Sequence, residues 1–255
     1  MSHIISIANQ KGGVGKSTTA HALGAGLHIK GYKVLLVDLD PQGNITYTAK
    51  AEVSKHTAYE LLAGTATTSE VIQKTEQGDI IPAGRGLSRL DLELSTTGKE
   101  YKLKEAIEPL KKQYDYIIVD TPPALGLLTI NALTASDSVV IPSQADIYSL
   151  QGIGQLYETV EAVRKYCNPA LALKGILLTR YSHRTILSRD MGEIIEATAK
   201  QINTFVYKAV IRECISLKEA QARRQDIFNY ARRSNASKDY LAFIDELIGR
   251  GKDNE

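Results

Sequence analysis

Near the N-terminus, the stretch "NQKGGVGKST" (residues 9–18) gathers three glycines, two lysines and two hydroxyl side chains. That is the composition a phosphate-binding turn needs. Gly12, Gly13 and Gly15 let backbone N–H groups approach oxygens with no Cβ in the way, and Val14 completes the turn. Lys16 is placed to reach β- and γ-phosphates, Ser17 to offer its hydroxyl to Mg²⁺, and Thr18 to meet an α-phosphate. The usual pattern G-x-x-x-x-G-K-[ST] is not met, because Gln10 stands where its first glycine belongs. An extra lysine, Lys11, follows directly. A glycine-rich turn can be merely structural, but three glycines framing G-K-S-T point to nucleotide phosphates.

Carboxylates supply the complementary chemistry. "KVLLVDLD" (33–40) ends in Asp38 and Asp40, and "YDYIIVD" (114–120) ends in Asp120. One aspartate after an apolar run can be a helix cap or a turn residue. Three of them opposite a phosphate loop suit metal and water handling. The five histidines are scattered, and no Ser-His-Asp or metal-ligand histidine set is evident.

These groups need a scaffold that brings strand ends to one edge. "HIISIA" (3–8), 33–40, 79–83, 114–120, "DSVVIP" (137–142) and "LKGILLTR" (173–180) read as strands, several of them nearly continuously apolar. Helical spacing predicts helices over 17–30, 101–113, 126–135, 149–166 and 187–202, and a final amphipathic one near 238–248. Residues 44–98 are less regular, with short helices expected at 58–63, 69–74 and 86–94. Alternating strands and helices predict an α/β fold: a doubly wound, mostly parallel sheet flanked by helices. No Pro-, Gly- or Ser-rich linker interrupts the 255 residues, so one domain over 1–255 is expected. No apolar run is long enough to span a membrane, and no secretory leader is expected. Cys167 and Cys214 lie far apart, which argues against zinc or a disulfide framework and suits a reducing cytoplasm.

"KGGVGKST", "VLLVDLDPQGN", "YDYIIVDTPPALGLLTINAL", "VVIPSQADIYSLQGI" and "ILLTRYSHRTILSRD" together resemble the ParA/Soj branch of the deviant Walker ATPases. The resemblance runs from about residue 3 to 248, with motifs in matching order. No N-terminal helix-turn-helix extension is expected, so it resembles the small form of the family. It implies a P-loop fold, ATP/ADP and Mg²⁺ as ligands, and a homodimer that sandwiches two nucleotides. In it Lys11 reaches the partner's phosphates in the manner of an arginine finger, Lys16 serves its own nucleotide, and Asp40 orients the attacking water. Ser17, Asp38, Asp40 and Asp120 belong to the metal shell, and Thr179, Arg180, Ile211, Arg212 and Glu213 match positions around the adenine. The "IRECISLKEA" segment (211–220) departs from the pattern, with Arg212 where many relatives carry proline and Glu213 where they carry arginine.

Net charge is only +2, but residues 205–235 hold seven basic side chains against three acidic ones. On charge alone this is either a solvated face or an anion-binding one. The family binds DNA non-specifically in its ATP state and is stimulated by a ParB-type DNA-bound partner. That resemblance makes Arg223, Arg224, Arg232 and Arg233 the candidates for phosphate contacts, and implies a cytoplasmic, nucleoid-associated partition ATPase. The alternative is a MinD-like positioning ATPase, which would need a membrane-seeking C-terminal helix. "YLAFIDELIG" carries Asp245 and Glu246 and is expected to pack on the body instead, so no membrane partner is expected.

Overall fold

The computed structural model describes residues 2–94 and 96–252. From the N-terminus the elements are β1 (His3–Ile7), α1 (Lys16–Ile29), β2 (Val34–Asp38), α2 (Asn44–Thr48), α3 (Ala58–Ala63), α4 (Thr68–Val71), β3 (Gln73–Thr75) and β4 (Gly78–Ile81). Next come α5 (Leu90–Glu93), α6 (Lys102–Ile107), β5 (Tyr116–Asp120), α7 (Leu127–Ala135), β6 (Ser138–Ser143) and α8 (Ile147–Tyr166). The chain continues through β7 (Ala172–Tyr181), α9 (Ile186–Gln201), β8 (Ile211–Arg212), α10 (Ile215–Ala222), α11 (Ile227–Tyr230) and α12 (Asn235–Lys252).

The strands form one eight-stranded sheet in the order β3-β4-β2-β5-β1-β6-β7-β8. Every pairing is parallel except β3 with β4. The expected doubly wound α/β architecture is therefore present. Period-two alternation assigns each strand residue to a layer. Ile5, Ile7, Val34, Leu36 and Ile118 pack with α1, α11 and α12, while Ile4, Leu35, Val37, Ile117 and Val119 pack with α3, α6 and α7. On the far side of β1, Val139, Ile141, Ile176 and Leu178 meet α8 and α9. Both faces are covered, which is why these strands read as unbroken apolar runs.

α12 lays Tyr240, Phe243, Ile244 and Leu247 into the α1 layer, all buried. Its close approach depends on Gly26, where an added Cβ would collide with Ile244. The final helix thus packs on the body, as expected, though it spans Asn235–Lys252 rather than 238–248. The last three residues of the polar tail lie outside the described residues.

Three sequence expectations need correction. Residues 101–113 do not form one helix: α6 is flanked by 3-10 turns at Lys99–Tyr101 and Glu108–Lys112. Pro109, near the start of the second turn, lacks the N–H an α-helix would use there. The helix read at 69–74 ends at Val71, because Gln73–Thr75 pairs antiparallel with β4 across the turn at Gly78 (φ 112°). Residues 86–94 are a 3-10 turn running into the four-residue α5.

Candidate nucleotide site

The sheet order puts the chemistry beside β1. From β1 the chain goes one way to β2 and β4, then passes from β5 across β1 to β6 and β7. Ligands bind at such a reversal, beyond the carboxyl ends of the strands. In register, Asp120 ends β5 opposite Asp38 of β2 on one side and Ile7 of β1 on the other. The loop leaving β1 therefore emerges next to Asp120, and the Thr121 hydroxyl donates to the Ile7 carbonyl at 2.9 Å.

Gly13 (φ 75°) and Gly15 (φ 88°) adopt the left-handed conformation that lets the loop turn into α1, which begins at Lys16. α1 has no side-chain cap at its N-terminus, so its first N–H groups are available to an anion. Other side chains hold the loop by its carbonyls. Gln144 Nε2 donates to Gly13 O at 3.0 Å, Thr179 Oγ1 to Val14 O at 2.8 Å, and Lys16 Nζ to Lys11 O at 3.1 Å. Asn9 spans the entry, donating to Pro142 O (2.7 Å) and accepting from the Lys11 N–H (3.0 Å).

A cleft of about 470 Å³ opens over this loop. Gly12, Gly13, Gly15, Lys16, Ser17, Thr18, Asp40 and Arg180 line it, joined by Asn44 and Pro123. An adjoining cavity, bounded by Thr179, Arg180, Ile211, Arg212 and Glu213, extends from Thr18. The residues expected around a base are thus brought together beside the phosphate loop. Their commitments differ, however. Thr179 is buried and its hydroxyl is spent on the Val14 carbonyl of the loop, and the Arg212 guanidinium grips Asp239 of α12 at 2.9 and 2.6 Å.

The three carboxylates play distinct parts. Asp38 is fully buried; it accepts from the Asp40 N–H (3.2 Å) and from the Thr46 N–H and hydroxyl (2.9 and 2.7 Å). Its oxygens pin the loop after β2 to α2. Burial pushes its carboxyl up to about 6 despite those bonds. Asp40 accepts from the Gln42 N–H at 3.0 Å and reaches the cleft. Asp120 is also fully buried, yet neither of its oxygens has a hydrogen bond of regular geometry. Burial and the charge of Asp38 hold it well above the usual carboxylate range, opposed by the Ser17 hydroxyl close by. Two orphaned carboxylate oxygens beside Ser17 fit a divalent cation. Among the described residues no three His, Cys, Asp or Glu side chains converge as a complete ligand set, so phosphate oxygens and water would have to supply the rest.

The two lysines diverge. Lys16 is buried at the cleft, and burial lowers its pKa against the pull of Asp120 and Asp40. Lys11 turns to the start of α8 and binds Asp146 Oδ1 and Oδ2 at 2.8 and 2.6 Å, and Ser149 Oγ at 3.2 Å. Asp146 caps α8 by accepting from the Ser149 N–H. Burial opposes its ionisation, but Lys11 and that N–H hold its carboxyl below the ordinary range.

Sequence reasoning missed Asn9, Gln144, Asp146 and Ser149. The signal was present in "SQAD" at the end of β6, the same edge that carries the aspartates. It also passed over His21, which is buried and lines the cleft, and whose pKa that burial lowers. Of the four arginine candidates for DNA, Arg223, Arg232 and Arg233 are exposed. Arg224 is half-buried and bonded to Tyr47 O at 2.8 Å. Phe228, beside these arginines in sequence, is core.

Comparison with known proteins agrees with this geometry. A family model described as an AAA domain matches residues 2–173. The chain is 46% identical to the sporulation initiation inhibitor protein Soj of Bacillus subtilis, over 98% of this chain and 100% of that one. It is 38% identical to the chromosome partitioning protein ParA of Caulobacter vibrioides, over 99% and 96%. Among solved structures, a Mycobacterium smegmatis protein described as cobyrinic acid a,c-diamide synthase, with bound ATP analogue and magnesium, superposes with TM-score 0.87. It is 33% identical and the match covers 100% of this chain and 98% of that one. With its phosphate loop, its strand-end aspartates and these relatives, the chain belongs to the Soj/ParA family of P-loop ATPases.

Proposed function

We propose that this protein is an ATP-dependent, dimerising partition ATPase. In its ATP state two copies sandwich two nucleotides and bind DNA through phosphates, without sequence preference. A ParB-type DNA-bound partner then stimulates hydrolysis, and the cycle segregates plasmid or chromosomal DNA on the nucleoid.

The observation that carries this reading is the divergence of the two loop lysines. Lys16 is buried and lines its own cleft, whereas Lys11 is fastened to the start of α8 instead of lining that cleft. A cation placed there serves phosphates presented by a second copy. The other roles follow from position. Backbone N–H groups of residues 12–16 cradle the phosphates and Lys16 neutralises charge on the β- and γ-oxygens. Ser17 and Asp120 provide the hard oxygen donors that Mg²⁺ prefers. Mg²⁺, when bound, offsets the charge that builds on the phosphoryl oxygens. Asp40, at the cleft and anchored through Gln42, is placed to orient a water for in-line attack. The exposed Arg223, Arg232 and Arg233 form the DNA-facing group. Because the apolar face of α12 is packed against α1, it supports a DNA-directed rather than a lipid-directed protein.

Sizing the protein with ADP and with a slowly hydrolysed ATP analogue, with and without duplex DNA, tests the reading. A dimer only with the ATP analogue, and DNA retention only of that dimer, is the expected result. A monomer in every condition contradicts it.

A further inference from the structure

Arg224 occupies a backbone position that an arginine disfavours. It follows α10 with φ 54°, in the left-handed region. Its N–H donates to Gln221 O at 3.0 Å, and the Gln225 N–H donates to Ala220 O at 3.0 Å. This is the double-bonded helix ending that glycine normally supplies. A large side chain retained in a glycine slot calls for a reason, and its contacts provide one.

Nε of Arg224 donates to the Tyr47 carbonyl at 2.8 Å, and its guanidinium stands over the Tyr47 ring, 4.8 Å from the centroid. Its own carbonyl accepts from Gln77 Nε2 at 3.3 Å, and the same Gln77 nitrogen donates to Thr48 O at 2.9 Å. Arg224 and Gln77 thereby meet the two last carbonyls of α2, where a cation is favoured. α2 is the helix that starts just after Asp40 and whose Thr46 holds Asp38. At its other end Arg224 opens the turn to Asp226, which caps α11, the short helix that precedes Arg232 and Arg233.

We propose that Arg224 is a positioning residue: it clamps α2, and with it the Asp38 and Asp40 loop, to the base of the segment carrying Arg232 and Arg233. The clamp ties the hydrolytic side of the cleft to the basic face, so a shift in one is felt by the other. Arg224 is not itself a phosphate contact. The clamp needs only the ATPase reading; its second readout below rests on the proposed DNA binding.

Arg224→Gly separates the possibilities without endangering the fold, because glycine suits the φ it inherits. The readouts are DNA-free ATP turnover and the slope of log K against log salt for duplex DNA. The clamp predicts a kcat lower by about three- to tenfold with the KM for ATP within about twofold. It also predicts an unchanged salt slope, whereas Arg233→Ala lowers that slope by about one. Tyr47→Ala, at an exposed ring, reproduces the kcat loss, and Tyr47→Phe restores turnover relative to it. Wild-type kcat in both Arg224→Gly and Tyr47→Ala overturns the clamp. So does a slope reduced by about one in Arg224→Gly. If the wild-type protein binds no DNA, the partition reading fails and the kcat comparison still decides the clamp.

Discussion

Lys11 Nζ lies 2.6 Å from one carboxylate oxygen of Asp146 and 2.8 Å from the other, so the additional loop lysine is ion-paired within its own subunit. The pair is partly exposed, at 25% and 31%. Such a pair is worth about 1 kcal/mol or less, little enough for a nearby triphosphate to outcompete it. Lys11 is thus held in place yet free to transfer.

Lys11→Ala should keep nucleotide affinity, because Lys16 and the loop N–H groups remain. Hydrolysis should fall on the order of 10³-fold, the scale lost when a trans-acting cation is removed from phosphoryl transfer. Equilibrium binding of a fluorescent ATP analogue and single-turnover hydrolysis check the two halves. Lys16→Ala should instead abolish binding, since the buried ammonium sits in the cleft itself.

Asp146→Asn keeps the cap of α8, because an asparagine oxygen also accepts from the Ser149 N–H. It removes the charge that competes for Lys11. The ATP-dependent dimer should form at about two- to fivefold lower protein concentration, in line with the loss of an exposed pair. Sedimentation velocity across a dilution series measures this, and weaker dimerisation would contradict it.

Asp120 is a liability to the metal-free protein. Its folded carboxyl is raised above its ordinary range by burial and by Asp38. A carboxyl with a raised folded pKa binds extra protons in the native state, so stability falls as pH rises through that pKa. Asp120→Asn should therefore raise the melting temperature in EDTA, by on the order of 2–6 °C at pH 8. The gain should shrink from pH 8 towards pH 5, the direction in which the wild-type group regains its proton. Thermal melts at the two pH values test the sign. The same variant should lose Mg²⁺-dependent turnover, which keeps stability and activity visibly apart.

Replacing Arg232 and Arg233 together by alanine should weaken DNA binding and lower its salt slope by about two, with no change in sequence preference. Anisotropy titrations at several salt concentrations read both quantities. An unchanged slope would move the DNA face elsewhere.

The central sheet was legible because residues such as Leu35 to Val37 and Ile117 to Val119 are covered on both faces and leave an unbroken apolar run. The phosphate loop and the strand-end aspartates were legible because their chemistry restricts the residue types. Other parts depend on tertiary contact and leave no local trace. β8 has two residues and exists because Ile211 meets Thr179 of β7. β3 overrode a helical reading because β4 was there to pair with it. Arg224 reads as one more surface charge among four, and only the fold brings Tyr47 to it.

The phosphate loop is held from outside by Gln144 and Thr179, and at its entry by Asn9. Little ordering of the loop is left for the ligand to bring about. Arrival of nucleotide should then be limited by encounter rather than by rearrangement, with residence time setting the affinity. Loosening Gln144 or Asn9 would show first as a slower on-rate, so the shape of the loop functions as a kinetic property.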